Sequence, residues 1–385
     1  MNLVWSTTDL VIGGHAYPEF PILLWDSMES CRPANLFLRY YLLRGAVGSQ
    51  KSWDPVGRAL YDYFSFLQAH ELEWDKCDRG EAKSLVAAYR DYSLYTVKLQ
   101  RSTVRNRLTY VTLFYEYAQR QRWITTLPFG YEDRIVKRKH RLLSHTESSG
   151  GRASMRDVMP RAHYNLPKFL STSEITLLLE AATNVHHNMI VRLALGTGLR
   201  KQELATFPLR YIFDPELRGD QSRNVRVTLD PEDGSGMKTK GSKPRVIYIS
   251  RNLMGNLNFY AKHRRGERAS LSRRQHAPLF LNQTGEPYSL DGKGLDRIVR
   301  LIGRRAGLEV WPHKLRHTYA THTLVTLQRN RATNKIEPLA FLQMQLGHAS
   351  IQTTMVYLHL INELADEAVL IYAEELDELA GMVHG

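Results

Sequence analysis

HKLRHTYAT, residues 313–321, is the stretch on which the reading of this chain turns. His313 and Arg316 stand three apart, so one helix face presents an imidazole and a guanidinium to the same anion. Three further stretches share its polar, chemistry-bearing character. GTGLRKQEL (196–204) and KTKGSKPRV (238–246) precede it, and LGHASIQTTMVYLH (346–359) follows. Each has an ordinary account when taken alone. Arg200 is a surface arginine paired with Glu203, Lys240 is one cation of a polar turn, and Tyr357 is a core aromatic. His313 and His317 have the i, i+4 spacing of a zinc pair. Yet Lys-Leu-Arg lies between them, with no Glu to act as base and no third ligand in evidence, so no metal and no other cofactor is expected.

Taken together, the four stretches describe phosphoryl transfer. Two arginines grip the non-bridging oxygens of a phosphodiester through bidentate, charge-assisted bonds. Preorganised cations of this kind act most strongly on the charge of the pentacoordinate transition state. A lysine in a turn is a mobile acid for a leaving alkoxide. A tyrosine hydroxyl, with a free pKa of about 10, becomes a nucleophile when positive neighbours favour the phenolate. No cluster of Asp and Glu suited to two Mg²⁺ ions stands near these motifs, which argues against a two-metal nuclease.

In order and local wording the four stretches resemble the tyrosine recombinases, the phage-integrase family. GLRxxEL is similar to the first arginine box and KGxKxR to the β-hairpin lysine. HxLRHTxAT resembles the second box, and LGHxxxxxTxxYxH the segment with the second histidine and the nucleophile. The resemblance covers roughly residues 168–360 and, more loosely, 53–128. It implies a mainly α fold with a small antiparallel β-sheet in the catalytic domain. A helical core-binding domain and an α+β catalytic domain would form a C-shaped clamp on DNA.

Residue by residue, the resemblance implies that Arg200 and Arg316 hold the scissile phosphate and that Lys240 protonates the 5′-hydroxyl leaving group. His313 and His348 would assist proton transfer and orient the phosphate, and Glu203 would position Arg200 or a neighbouring histidine. Tyr357 would attack to give a 3′-phosphotyrosyl link, so strands exchange without ATP or metal. Lys238 and Lys243 share the turn with Lys240; the Lys-Gly pair favours Lys240. Tyr372, the rival tyrosine, falls in an acidic helix where a phosphate would be repelled. The implied partners are double-stranded DNA at specific recombination sites, a homotetramer on two duplexes, and accessory proteins. The implied setting is the bacterial cytoplasm or nucleoid, on a mobile genetic element. Two alternatives use the same residues: DNA relaxation by a type IB topoisomerase, and a DNA-binding protein that keeps the fold without the chemistry. The tail helix and the wording around Tyr357 favour the recombinase.

Composition points the same way. The chain has 385 residues, enough for two domains, and a formal charge of +13. Residues 358–385 hold seven acidic residues and no Lys or Arg, so the rest of the chain carries +20. That asymmetry calls for a polyanionic partner, nucleic acid before a membrane surface. The basic stretches lack the continuous apolar face of a membrane-surface helix. Cys31 and Cys77 make no disulfide framework or metal pair, consistent with a reducing cytoplasm. No run approaches a membrane span, and MNLVWSTTDL has no basic segment leading into a long apolar one, so neither secretion nor spanning is expected.

Periodicity divides the chain further. Residues 1–50, broken by Pro18, Pro21 and Pro33, read as an N-terminal extension of unknown role with a helix near Ala34–Leu43. Residues 51–130 turn helical, with Leu60, Tyr63, Phe64 and Leu67, then Leu108, Val111, Tyr115 and Ala118, at 3.6-residue spacing. Ser102 is the expected N-cap of the second helix, and Arg101, Arg105 and Arg107 at its start are candidate DNA contacts. Residues 131–167 lose apolar periodicity and read as a basic flexible linker, with Lys137, Arg138, Lys139 and Arg141 facing the duplex. The catalytic domain, 168–360, opens on a capping box at Ser171 and Glu174. Its β-hairpin, from Val225 to Ile249, adds Lys243 and Arg245 to the DNA-contacting cations. Arg329–Lys335 reads as an inserted polar loop, and 361–385 as an acidic helix. The resemblance implies that this helix docks in a neighbouring protomer; the alternative is a helix folded back on its own domain.

Overall fold

In the computed structural model the chain divides into two compact units, Met1–Tyr164 and a second that begins at Asn165. The structure describes residues 1–44, 50–135, 152–161, 166–218, 222–329 and 337–358. No helix among them is long and apolar enough to cross a membrane.

In the first unit, β1 (Asn2–Trp5) pairs antiparallel with β4 (Pro21–Leu24), in the register Trp5 opposite Pro21. The small ribbon of β2 (Val11–Ile12) and β3 (His15–Ala16) lies between them in sequence. Helices α1 (Arg32–Leu43), α2 (Trp53–Ala69), α3 (Leu85–Asp91) and α4 (Arg101–Arg120) follow. The apolar positions expected from their 3.6-residue spacing on α2 and α4 are buried without exception. An aromatic core forms where these faces meet. Phe37 of α1 packs edge-on to Phe114 of α4, which in turn packs against Phe64 of α2. Full burial of such a ring contributes about 1.5–3 kcal/mol. The hydroxyls of Tyr63 and Tyr115 lie 2.6 Å apart, and Tyr115 Oη donates to the Trp74 carbonyl at 2.9 Å, so neither buried oxygen is orphaned. α4 starts two residues earlier than expected: Gln100 occupies the N-cap, and Ser102 lies within the first turn.

Two boundaries differ from the sequence reading. Phe20, Leu23, Phe37 and Leu38 belong to the same core as α2 and α4, so residues 1–44 are a structural layer of the first unit rather than an appended extension. Strands of two to four residues interrupted by prolines are too short for a periodicity to show. Part of the expected linker is a hairpin, with β5 (Tyr131–Ile135) paired antiparallel to β6 (Arg152–Arg156). Arg156 anchors it on Glu116 of α4, its Nε at 2.8 Å and Nη2 at 2.6 Å, and Val158 enters the core. Lys137, Arg138, Lys139 and Arg141 lie outside the described residues, as do residues 330–336 and 359–385, Tyr372 included.

The second unit opens with α5 (Thr172–Ala181), whose capping box forms as the sequence implies. Ser171 N donates to Glu174 Oε2 at 2.7 Å, and Glu174 N to Ser171 Oγ at 3.2 Å. Then come α6 (Val185–Thr197), α7 (Lys201–Ala205) and the antiparallel strands β7 (Asn224–Leu229) and β8 (Arg245–Ser250). Val225, Val227 and Leu229 alternate inward against Ile247 and Ile249, as a sheet with one covered face requires. After α8 (Arg251–His263) and α9 (Arg265–Ala269), α10 (Lys293–Arg305) buries Leu295, Val299 and Ile302. Its opposite face carries Lys293, Arg297, Arg300 and Arg304 into solvent. α11 (Pro312–Arg329) is buried around much of its circumference, with Leu315, Arg316, Thr318, Ala320, Thr321 and Leu324 covered. α12 (Pro338–Leu346) is laced to β8 by Gln345, which accepts from Tyr248 N at 2.8 Å and donates to Tyr248 O at 3.0 Å. α13 (Ile351–Met355) completes the described chain.

Candidate active site

The ends of α6 and α12 frame the site. Gly198 closes α6 with φ 64°, and Gly347 closes α12 with φ 63°, the left-handed conformation that glycine adopts without a Cβ penalty. Space also requires glycine here. A Cβ on Gly198 would stand 2.5 Å from Tyr319 Cδ1, and one on Gly347 2.6 Å from Arg245 Cδ. The turn after Gly198 delivers Arg200 to the N-cap of α7, where its backbone N donates to Glu203 Oε2 at 2.7 Å.

Main-chain oxygens aim both arginines. Arg316, 1% exposed, donates from Nη1 to Gly198 O at 2.7 Å and from Nη2 to Leu346 O at 2.6 Å. Arg200 Nη2 donates to Gly347 O at 2.9 Å, and its Nη1 to Glu203 Oε1 at 3.1 Å. Burial, then the Arg200 charge, pulls Arg316 down to about 9, which leaves it cationic at neutral pH. Glu203 is 1% exposed. Its burial raises the carboxyl pKa, but hydrogen bonds and charge from Arg245, with the Arg200 charge behind them, lower it overall.

Arg245 corrects the sequence reading. Counted as a DNA contact because it ends a basic turn, it instead turns inward. Its Nη1 donates to Glu203 Oε1 and its Nη2 to Glu203 Oε2, the latter at 2.9 Å. It braces the carboxylate that braces Arg200. Two arginines pair with this one carboxylate and Arg316 lies within reach of its charge, which leaves the pocket with a cationic surplus suited to an anion. Lys238, Lys240 and Lys243 are exposed along the β7–β8 connection. The root of that loop is fixed: Met237 is fully buried, and Lys238 N donates to Thr206 Oγ1 at 3.1 Å. Thr239 Oγ1 donates to Lys243 O at 2.8 Å, closing the tip.

The histidines and the tyrosine complete the group. His313 opens α11 at the solvent edge, and desolvation, then Arg316 and Arg200, lower its pKa. His348 follows Gly347, with Nδ1 2.9 Å from Thr354 Oγ1. Burial and the same two arginines pull it down to about 3. Its ring lies parallel to that of Tyr357, centroids 6.4 Å apart. Tyr357 is 2% exposed and packs with Ala320, Leu324, Leu342 and Leu346. Burial pushes its hydroxyl up to about 12, against the opposing pull of Arg316 and Arg200. Its Oη lies 2.8 Å from His317 Nδ1. Sequence reasoning missed His317, weighing it only as half of a zinc pair. The same i, i+4 spacing places it on the helix face of His313, their ring centroids 4.4 Å apart, and that was the available signal.

In the first unit, Arg101 is exposed at the start of α4. Arg105 and Arg107, expected on DNA, hold internal partners. Arg105 Nη1 donates to Pro160 O, and Arg107 Nη1 to Asp62 Oδ2 at 2.5 Å, a carboxylate that also accepts from Tyr89 Oη.

The phage integrase family model matches residues 168–363, just over half of the chain. The tyrosine recombinase XerA of Pyrococcus horikoshii is 28% identical over 212 residues, which span 54% of this chain and 63% of that protein. XerC of Staphylococcus epidermidis is 25% identical over 311 residues, 79% of this chain and 84% of that protein. Among solved structures, XerH site-specific recombinase bound to palindromic difH in a post-cleavage complex has a TM-score of 0.55 at 18% identity, covering 84% of this chain and 81% of that one. The Tn1549 transposon integrase in complex with transposon right end DNA has a TM-score of 0.52 at 19% identity, covering 84% and 94%. At these identities the structures speak for the fold, and the family match speaks for the lineage. The chain belongs to the phage integrase family, the tyrosine recombinases.

Proposed function

We propose that this chain is a site-specific DNA recombinase that cuts and rejoins double-stranded DNA through a 3′-phosphotyrosine at Tyr357, without metal or ATP. One observation carries the reading. Arg200 and Arg316, each fixed by main-chain carbonyls at the ends of α6 and α12, share a pocket with His348 and the electrostatic reach of Tyr357. The two guanidiniums hold the non-bridging oxygens of the scissile phosphate and offset the charge that develops there. Tyr357 attacks phosphorus, Lys240 delivers a proton to the departing 5′-oxygen, and His313 and His348 orient the phosphate. The relatives XerC and XerH carry recombinase in their names, and the XerH complex holds its difH site.

The duplex backbone meets the exposed cations. Arg101 stands in the first unit, and Lys293, Arg297, Arg300 and Arg304 line one face of α10. Lys137, Arg138, Lys139 and Arg141 add phosphate contacts, so affinity falls steeply with salt. The acting assembly is a tetramer on two duplexes, with residues 361–385 docked in a neighbouring protomer. Deleting 361–385 impairs tetramer formation, read by light scattering on DNA, more than DNA binding.

The experiment is covalent capture. A duplex nicked beside a candidate site, taken from DNA flanking the gene, is incubated in EDTA with wild type and with Tyr357→Phe. A denaturation-resistant adduct in wild type alone is expected. An adduct with both would move the nucleophile elsewhere, and tight binding without any adduct would make the chain a binding protein. Relaxation of plasmids that lack the site would identify a topoisomerase instead.

A further inference from the structure

We propose that His317 is the proton acceptor for Tyr357, a catalytic residue distinct from His313 and His348. The inference rests on the function proposed above and deepens it. Among the described residues, Tyr357 Oη has one hydrogen-bond partner, His317 Nδ1, at 2.8 Å. The other two histidines are placed otherwise. His348 spends Nδ1 on Thr354 and lies ring-parallel to the tyrosine, and His313 meets the ring of His317 rather than the phenol. A nucleophile whose hydroxyl is buried needs an acceptor within reach for its proton. Among the described residues only His317 is in that position.

The charges around His317 are compatible with the role. His313 and Arg316 lie on its own helix, and Tyr357 and His348 come from the segment after α12. Arg200, from the cap of α7, acts on His313, His348 and the tyrosine. Burial, then His313 and Arg316, hold His317 down at about 4, so it is neutral at working pH, and in the tautomer that carries its proton on Nε2 the Nδ1 lone pair accepts from Oη. Tyr357 stands at about 12, so at rest the proton stays on oxygen. A phosphate docked on the arginines screens the positive charge that depresses His317, and the phenol proton becomes acidic as the Oη–P bond forms. The transfer is then concerted. The Oη–P bond forms, the P–O5′ bond breaks, the Oη proton passes to His317 Nδ1, and Lys240 supplies the proton for O5′. Rejoining reverses each transfer.

The test is single-turnover adduct formation by wild type, His317→Ala and His317→Gln over about pH 6 to 10, a range that separates a weak base from free phenol ionisation. The duplex carries sulfur at the scissile 5′ position, so departure needs no proton from Lys240. Wild type should show a nearly flat profile. His317→Ala should be slower at neutral pH by about 100-fold and gain about tenfold per pH unit, because the tyrosine must ionise unaided. His317→Gln, which retains a hydrogen-bond acceptor but takes no proton, should show the same slope. A wild-type rate in His317→Ala, a slower but flat profile in both variants, or a faster adduct in either variant would each overturn the proposal. Absence of an adduct in wild type would instead overturn the proposed function.

Discussion

Glu203→Gln removes one charge from the most heavily bonded carboxylate of the site, and its cost follows from the partners left behind. Glu203 is 1% exposed, and the side chain of Arg245, which spans both its oxygens, is 9% exposed. Neutralising the carboxylate strands a buried guanidinium. Breaking a buried pair in this way costs about 3–5 kcal/mol. The lower end, about 3 kcal/mol, applies because the amide still accepts one bond and Arg200 keeps Gly347 O. For a unit of this size each kcal/mol moves the midpoint by about 2–4 °C, so calorimetry on the full chain should show the second unit melting about 6–12 °C lower. Adding Arg245→Met removes the stranded cation. The double variant should be milder than the sum of the singles by about 1–3 kcal/mol. Folding lowers the Glu203 pKa, so its charge contributes stability that is fully present above the ordinary value of 4.5 and is lost as pH falls through the folded value. The gap between wild type and Glu203→Gln should therefore close on acidification. A midpoint shift under about 2 °C at neutral pH, or strictly additive singles, would refute the bracing role.

Other expectations follow from the same geometry. Gly198→Ala forces a Cβ into the left-handed region against Tyr319 and shifts the carbonyl that aims Arg316. It should lower stability by at least about 1–2 kcal/mol, read by denaturant titration, and reduce adduct formation at unchanged DNA affinity. Arg316→Lys keeps a charge but cannot hold Gly198 O and Leu346 O together with a phosphate. Single-turnover cleavage should fall by about 100- to 1,000-fold, and a loss under about threefold would remove Arg316 from the phosphate clamp. Lys240→Ala should be slow on an ordinary duplex and recover on one with a 5′-sulfur leaving group. If Lys238→Ala or Lys243→Ala shows that rescue instead, the acid is reassigned.

The four motif stretches were legible because each packs its chemistry into a short local pattern. Glu203 three residues after Arg200 reads as its partner, and the two are bonded through both the Arg200 backbone N and its Nη1. What the sequence hides is direction. Arg245 and Lys243 look alike in KTKGSKPRV, yet Arg245 is the first residue of β8 and faces the core beside Gly347, while Lys243 belongs to the exposed tip. Arg105 and Arg107 look like DNA contacts, but their acceptors, Pro160 O and Asp62, lie 55 and 45 residues away in sequence. α11 gave little amphipathic signal because buried residues surround it, which is why His317 stood out no more than its neighbours. The basic face of α10 went unread because the four cations are spread among apolar residues.

The carbonyls that aim Arg200 and Arg316 belong to positions 198, 346 and 347, none of which supplies a side chain to the chemistry. Orientation is thus written in peptide units, and a peptide unit is the same whatever residue carries it. At position 346, a library of similar-sized apolar residues should keep the arginine aimed, because every member brings the same oxygen. Positions 198 and 347 should admit almost no change, since their backbone conformation and crowded surroundings fix the oxygen's direction. Mutational tolerance around the reactive centre should therefore track torsion and space rather than polarity. The segment leading to the nucleophile and the grip on its target would then be tuned together, through the path of one short stretch of main chain.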